Sequence, residues 1–228
     1  MCDIETIEKY ETRVVAYADI LGWSSASKNV LPCILMPIVG KIKSFALNFS
    51  EEIKQELQDS SGVPETLIQE HAGIEFSFFS DNFVLSAPVN YGQKIFEILA
   101  WVSHDLLRNG FLVRGGLTIG KIIHNKGIIF GPALVEAVNL EKKASYPCIL
   151  CGGEELEKYL EQMDSKRKNV MLDRNQKLVV NIAIGSTYAK DDLMEVINKK
   201  LSDIEKVRAK WKYLKEILPR MYENQAVN

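Results

Sequence analysis

An α+β fold of the split βαβ, ferredoxin-like kind, with a helical C-terminal extension, is what this sequence predicts, on three observations. Short apolar runs rich in β-branched and aromatic residues alternate with longer runs of helical spacing up to residue 150. Two pairs of the short runs, at 74–87 and 111–131, lie close together around turn residues and read as hairpins. The segment 191–218 is charged throughout, with apolar residues at helical spacing.

The elements follow in order. "TRVVAYADI" (12–20) is a buried strand that ends in an acid. After Gly22 a helix begins near Ser24 or Ser25, either of which can cap it. Residues 34–58 have a helical pattern, and "DSSGVPET" (59–66) is a loop. The runs 74–79 and 83–87 form a hairpin around Asp81-Asn82. Apolar residues at 95, 98, 99, 102, 106 and 107 mark a helix that stops at Asn109-Gly110. Strands at 111–123 and 127–131 precede a helix from Pro132 to about Ala144, with proline in its first turn. A short strand "CILC", a helix at 154–163, strands at 169–172 and 178–184, and the long tail helix complete the chain. Up to residue 150 the order is β-α-ββ-α-ββ-α-β, which becomes split βαβ when one hairpin is removed. This divides the chain into a domain at 12–185 and an extension at 186–228.

Composition narrows the function classes. The 228 residues are 46% hydrophobic and 25% charged, enough for a core without disulfides or structural metals. A net charge of -2 argues against a general nucleic-acid binder but leaves room for one small anionic ligand. "VLPCILMPIVG" (30–40) is too short to span a membrane, and Met1 to Glu5 is acidic where a secretory leader is basic. Four cysteines in that setting indicate reduced thiols and a cytoplasmic protein. Cys148 and Cys151, three apart in a strand, point to opposite faces and are buried thiols. A zinc site would need two more ligands, and Cys2, Cys33, His71, His104 and His124 are scattered.

Two acids stand out because each ends an apolar strand: Asp19 in "ADILGWSS" and Asp81 in "FSDNFVLS". Burying an unpaired carboxylate is costly, so such groups are exposed, hydrogen-bonded or cation-bound. Aspartate is an ordinary turn residue, which accounts for Asp81 on its own. Asp19 has no such role, and a ferredoxin-like sheet sets the first strand beside the central hairpin. Two hard carboxylates meeting there suit Mg²⁺ or Mn²⁺, which also bind substrate phosphates. "ILGWSS" running into a helix N-terminus makes a phosphate cradle, with Gly22 allowing close backbone approach. On the residues alone, a metal-phosphate site and a structural explanation stand about level.

These stretches resemble the catalytic domain of class III nucleotidyl cyclases. "ADILGWSS" resembles the first-strand motif, "FSDNFVLS" the hairpin with the second metal aspartate, and "VRGGLTIG" with "GIIFGPALVEAVNLE" the fourth strand, hairpin and following helix. The resemblance spans roughly 12–150. It implies two Mg²⁺ or Mn²⁺ ions held by Asp19, Asp81 and the carbonyl of Ile20, with Asp19 and Asp81 as the catalytic residues. It also implies a head-to-tail homodimer. Purine cyclases carry a base-reading lysine at the position of Ser77 and an aspartate or cysteine at that of Ile128. Val135 and Asn139 replace their asparagine and arginine.

The sequence is similar to the Pycsar pyrimidine cyclases of bacterial anti-phage defence, which keep the two acids and share the divergent helix; a degenerate, non-catalytic cyclase domain is the other reading. The similarity implies conversion of UTP, or alternatively CTP, to a cyclic monophosphate that activates a separate effector protein. Gly22, Trp23, Ser77 and Arg114 are then candidates for substrate binding. Against these stand sheet packing for Trp23, an ordinary strand serine for Ser77 and a solvent-facing arginine for Arg114. Arg174 and Lys177, in a late turn, are candidates for the triphosphate, while Lys142 and Lys143 are a solvated helix face.

Overall fold

The computed structural model describes residues 9–59, 73–125, 127–163, 166–184, 190–203 and 208–226. Strand β1 (Glu11–Leu21) is the spine of the sheet and leads into α1 (Trp23–Asn29) and α2 (Pro32–Asp59). The hairpin β2 (Glu75–Phe79) and β3 (Asn82–Pro88) follows, then α3 (Gly92–Arg108), β4 (Leu112–Asn125), β5 (Ile128–Phe130) and α4 (Pro132–Lys143). The remainder is β6 (Ile149–Cys151), α5 (Glu154–Gln162), α6 (Lys166–Asn169), β7 (Val170–Leu172), β8 (Leu178–Val180), α7 (Lys190–Asp203) and α8 (Arg208–Ala226).

The strands form a mixed sheet in the order β2-β3-β1-β4-β6-β8-β7, with β5 paired to the end of β4. β1 lies antiparallel between β3 and β4, and β4 runs parallel to β6. The α+β class and its split order are therefore observed. β1 is covered on both faces, which is why "VVAYA" is apolar without alternation. Val14, Ala16, Ala18 and Ile20 point into the main core with α2 and α3, while Val15 packs with Val84, Ile122 and α4 residues Ala133 and Ala137.

Gly116 on β4 lets α4 lie directly on the sheet. A β-carbon there would sit 2.1 Å from the Ala137 carbonyl oxygen. The small residues of "VRGGLTIG" thus admit a helix backbone, one of the two uses small residues have in a strand.

The tail departs from expectation. A single helix over 191–218 would be about 42 Å long and could not keep one face on a small sheet. Instead α7 and α8 pack on each other, residues 204–207 between them lying outside the description. Leu193 and Ile197 join Trp211, Tyr213, Leu214 and Leu218 in one cluster with Leu112, Leu150 and Val179 of the sheet. The boundary expected at 185/186, most of the 59–66 loop, Cys2 and His71 fall outside the described residues.

The strand expected over 178–184 is shorter. Asn181 diverts the chain: its Nδ2 donates to the carbonyls of Lys168 (2.9 Å) and Met221 (3.2 Å), and its Oδ1 accepts from Ala183 N–H (3.1 Å). Cys148 packs in the tail cluster and Cys151 against the main core, on opposite faces as their spacing requires. Burial pushes the Cys148 thiol up to about 11, so it is a packing residue.

Candidate active site

The alternation of β1 places Asp19 on the α4 face, in line with Val15 and Tyr17. In register it stands opposite Asn82 of β3 on one side and Arg114 of β4 on the other. The N–H of Ile20 donates to the carbonyl of Asp81 at 2.7 Å, which ties the two acid-bearing backbones together. The hairpin closes one residue earlier than the sequence indicates. Phe79 pairs with Asn82, so Ser80 and Asp81 are the turn. Ser80 adopts φ 58°, sparsely populated for a side-chain-bearing residue, and such backbone gathers at functional turns.

Asp81 is held from both oxygens. Ser24 Oγ donates to Oδ2 (2.6 Å) and Asn82 Nδ2 to Oδ1 (2.9 Å), while Tyr17 OH fixes Asn82 by donating to its Oδ1 (2.5 Å). The Ser24 hydrogen bond, more than any other influence, holds the Asp81 carboxyl below the usual range. Ser24 therefore does not cap α1. The N-cap is Gly22, in left-handed backbone at φ 95° with no side-chain cap.

Asp19 lives in a different environment. Burial raises its pKa and the charges of Asp81 and Glu141 raise it further, while Arg114 and, more weakly, Lys210 pull it down. One terminal nitrogen of Arg114 lies 3.5 Å from Asp19 and also ion-pairs with the buried Glu141. Tyr17 feels the same group: burial first, then Glu141, Asp19 and Asp81, raise its pKa.

Asp19 and Glu141 thus share one arginine, with Asp81 close enough to act on Asp19 and Lys210 a weaker contributor, and half-buried negative charge in excess asks for a cation. The donors are oxygens: the Asp19 and Asp81 carboxylates and the backbone at Ile20. The Ile20 side chain is buried and its N–H is spent on Asp81, so its carbonyl is what remains to offer. Two carboxylates and a carbonyl fit Mg²⁺ or Mn²⁺, whose other positions go to waters and phosphates. Among the described residues no group of three or more His, Cys, Asp or Glu is placed to hold a metal ion.

The other candidates separate. Arg114 borders Asp19, and Gly22, three residues on in the chain, sits at the N-cap of α1. Trp23 does not: its indole is buried, edge-on to Phe78 at 5.9 Å and tilted against Phe111 at 5.3 Å, so it packs the core rather than stacking on a base. Ser77 lies on the α4 face of β2 and hydrogen-bonds His124. Arg174 and Lys177 are engaged elsewhere: Arg174 stacks over Tyr146 at 4.1 Å and pairs with Glu216 of the tail, and Lys177 donates to the Lys143 carbonyl at the end of α4. Lys142, Lys143 and Asn139 are exposed, as is Val135 at 61%.

Tyr17, Glu141 and Lys210 are missed from the sequence, which shows Asn82 only as a turn residue. Glu141 alone left a legible signal, because Ala133, Ala137 and Glu141 repeat every four residues and put an acid on the buried stripe of α4.

No family model and no curated protein matches the sequence. Among solved structures the chain is similar to a bacterial light-regulated adenylyl cyclase, with TM-score 0.49 and 14% identity over 86% of this chain. The chain spans 59% of that protein's length. It is also similar to the adenylyl cyclase CyaB from P. aeruginosa, with TM-score 0.44 and 12% identity over 75% of this chain and 93% of that one. An adenylate/guanylate cyclase/hydrolase from Silicibacter pomeroyi gives TM-score 0.40 and 15% identity over 75% and 95%.

Proposed function

We propose that the protein is a pyrimidine nucleotide cyclase that converts UTP to 3′,5′-cyclic UMP and pyrophosphate, with CTP as the alternative substrate. The carrying observation is the backbone bond from Ile20 to Asp81, which brings two strand-end carboxylates to one point of the sheet. In the reaction the ribose 3′-oxygen bonds to the α-phosphorus, the α–β phosphoanhydride bond breaks, and the 3′-hydroxyl proton is released. Asp19, Asp81 and the Ile20 carbonyl would hold two Mg²⁺ or Mn²⁺ ions, which when bound neutralise phosphate charge and lower the hydroxyl's pKa.

The chain's own residues position and screen. Ser24, Asn82 and Tyr17 keep Asp81 ionised and oriented. Glu141 anchors Arg114 from behind and holds its guanidinium in place beside the phosphates. Gly22 and the start of α1 supply backbone N–H groups. Ser77, where the resembling purine enzymes carry lysine, faces the base.

Val135 and Asn139, four apart on α4, and the exposed pair Tyr10 and Phe130, 6.0 Å apart, offer a surface for a second copy of the chain. A homodimer should sediment at twice the chain mass. The cyclic product would act as a second messenger on a separate effector in anti-phage defence. No described helix is long and apolar enough to cross a membrane.

A second reading, nucleotide binding without turnover, draws on the Arg114–Asp19 ion pair, in which a protein cation already takes part of the metal's role. Incubation with Mn²⁺ and an equimolar mixture of four NTPs, followed by mass spectrometry, decides between them. The cyclase reading expects one cyclic pyrimidine monophosphate and equal pyrophosphate. No product, with nucleotide-dependent thermal stabilisation, would favour the binding module.

A further inference from the structure

A chain of buried polar groups crosses the α4 face of the sheet and ends at Ser77. Arg13, buried, donates from Nε to Ser86 Oγ (3.0 Å) and from its terminal nitrogens to Glu11 (2.8 Å), to the Gly73 carbonyl (2.5 Å) and to the Ser86 carbonyl (3.2 Å). Ser86 Oγ meets His124 Nδ1 at 2.9 Å, and His124 Nε2 meets Ser77 Oγ at 2.9 Å. Four residues on four strands therefore form one line of hydrogen bonds.

Its direction follows from counting protons. Arg13 only donates, so Ser86 Oγ accepts from it. Ser86 is fully buried, and its hydroxyl proton must be spent; among the described residues its acceptor is His124 Nδ1. That leaves the ring proton on Nε2, where it donates to Ser77 Oγ; the tautomer is assigned by this network. His124 is neutral, since burial first and the Arg13 charge second push it down to about 4. Ser77 accepts from His124 and keeps its own hydroxyl proton for a partner outside the chain.

We propose that Arg13, Ser86 and His124 fix Ser77 as an outward hydrogen-bond donor, and that this donor selects a pyrimidine with a carbonyl oxygen at ring position 4. The inference rests on the cyclase reading for the placement of the base. Uracil has an acceptor oxygen at that position and cytosine an amino donor. A relay running the other way would spend the Ser77 proton on His124, leave only lone pairs outward and suit the amino group. Relay direction therefore distinguishes UTP from CTP, with His124 as a positioning residue.

Two measurements test it on the full-length protein. In ¹⁵N-histidine NMR at neutral pH, His124 should be the Nε2–H tautomer; an Nδ1–H tautomer would overturn the relay whatever the protein catalyses. In kinetics, Ser77→Ala should lower kcat/KM for UTP about tenfold through KM, lower it less for CTP, and leave the melting midpoint nearly unchanged. His124→Asn should narrow the UTP:CTP ratio in the same direction. Equal losses on both substrates would refute the base assignment. If no NTP is turned over, the function fails separately, and calorimetric binding of UTP and CTP to wild type and Ser77→Ala supplies the same ratio.

Discussion

Replacing Asp19 with asparagine is expected to cut turnover by about a thousandfold or more while leaving the metal-free protein at least as stable as wild type. The loss follows from removing one of the two carboxylates proposed as metal ligands, while Glu141 stays engaged in its ion pair with Arg114. The stability result follows from the direction of the pKa shift. Burial raises Asp19 above its ordinary value, so the folded state binds its proton more tightly than the unfolded chain does. Folded stability then falls as pH rises through the interval between the ordinary and the raised values, and the deficit persists at neutral pH. Asparagine removes that deficit, and Arg114 keeps Glu141 as its partner.

Asp81→Asn should match the loss of activity and reverse the sign on stability. Its carboxyl is held below the usual range, chiefly by Ser24, so its contribution is present at neutral pH and lost as pH falls through the folded value. Its melting midpoint should fall slightly at neutral pH. Added Mn²⁺ should raise the wild-type midpoint and neither variant's. Retained turnover in Asp19→Asn, or a collapse of its midpoint, would count against this account.

What could be read from sequence was local, and what could not was set by pairing between distant strands. The apolar runs and helical spacings identified β1, the first hairpin and α3 because each pattern repeats within a few residues. Asp19 and Asp81 were legible for the same reason, as charges terminating apolar strands. The hairpin turn was placed one residue late because Asp81 and Asn82 are both good turn formers, and only the Phe79–Asn82 pairing decides between them. Ser24 looked like a cap because the carboxylate that claims its hydroxyl lies 57 positions away. Arg13, Ser86, His124 and Ser77 share no spacing at all, since they meet only when four strands assemble. The tail misled for a related reason: its periodicity continues across 204–207, and only the need to cover a small sheet from one side divides it.

Gly116→Ala is expected to destabilise the protein by roughly 2–4 kcal/mol, lowering the melting midpoint by about 5–15 °C in a chain of this size. The added methyl would sit 2.1 Å from the Ala137 carbonyl oxygen and 2.5 Å from Leu140 Cβ. A side chain in the way could rotate aside, but a carbonyl within α4 moves only if the helix lifts. Lifting α4 separates Ala133 and Ala137 from Val15 and Val84, and it draws Glu141 from Arg114, so turnover should fall along with stability. Gly40 is the internal comparison: nothing lies within 4 Å of a β-carbon there, and alanine inside α2 should stabilise by up to about 1 kcal/mol. Gly120→Ala should fall between the two, because its nearest neighbour is the Ala133 side chain at 3.2 Å, which yields by a few tenths of an ångström. Thermal melts of the three variants rank them directly. If Gly116→Ala melted within a couple of degrees of wild type, α4 would not be seated on β4 as described, and the placement of Glu141 behind Arg114 would fall with it.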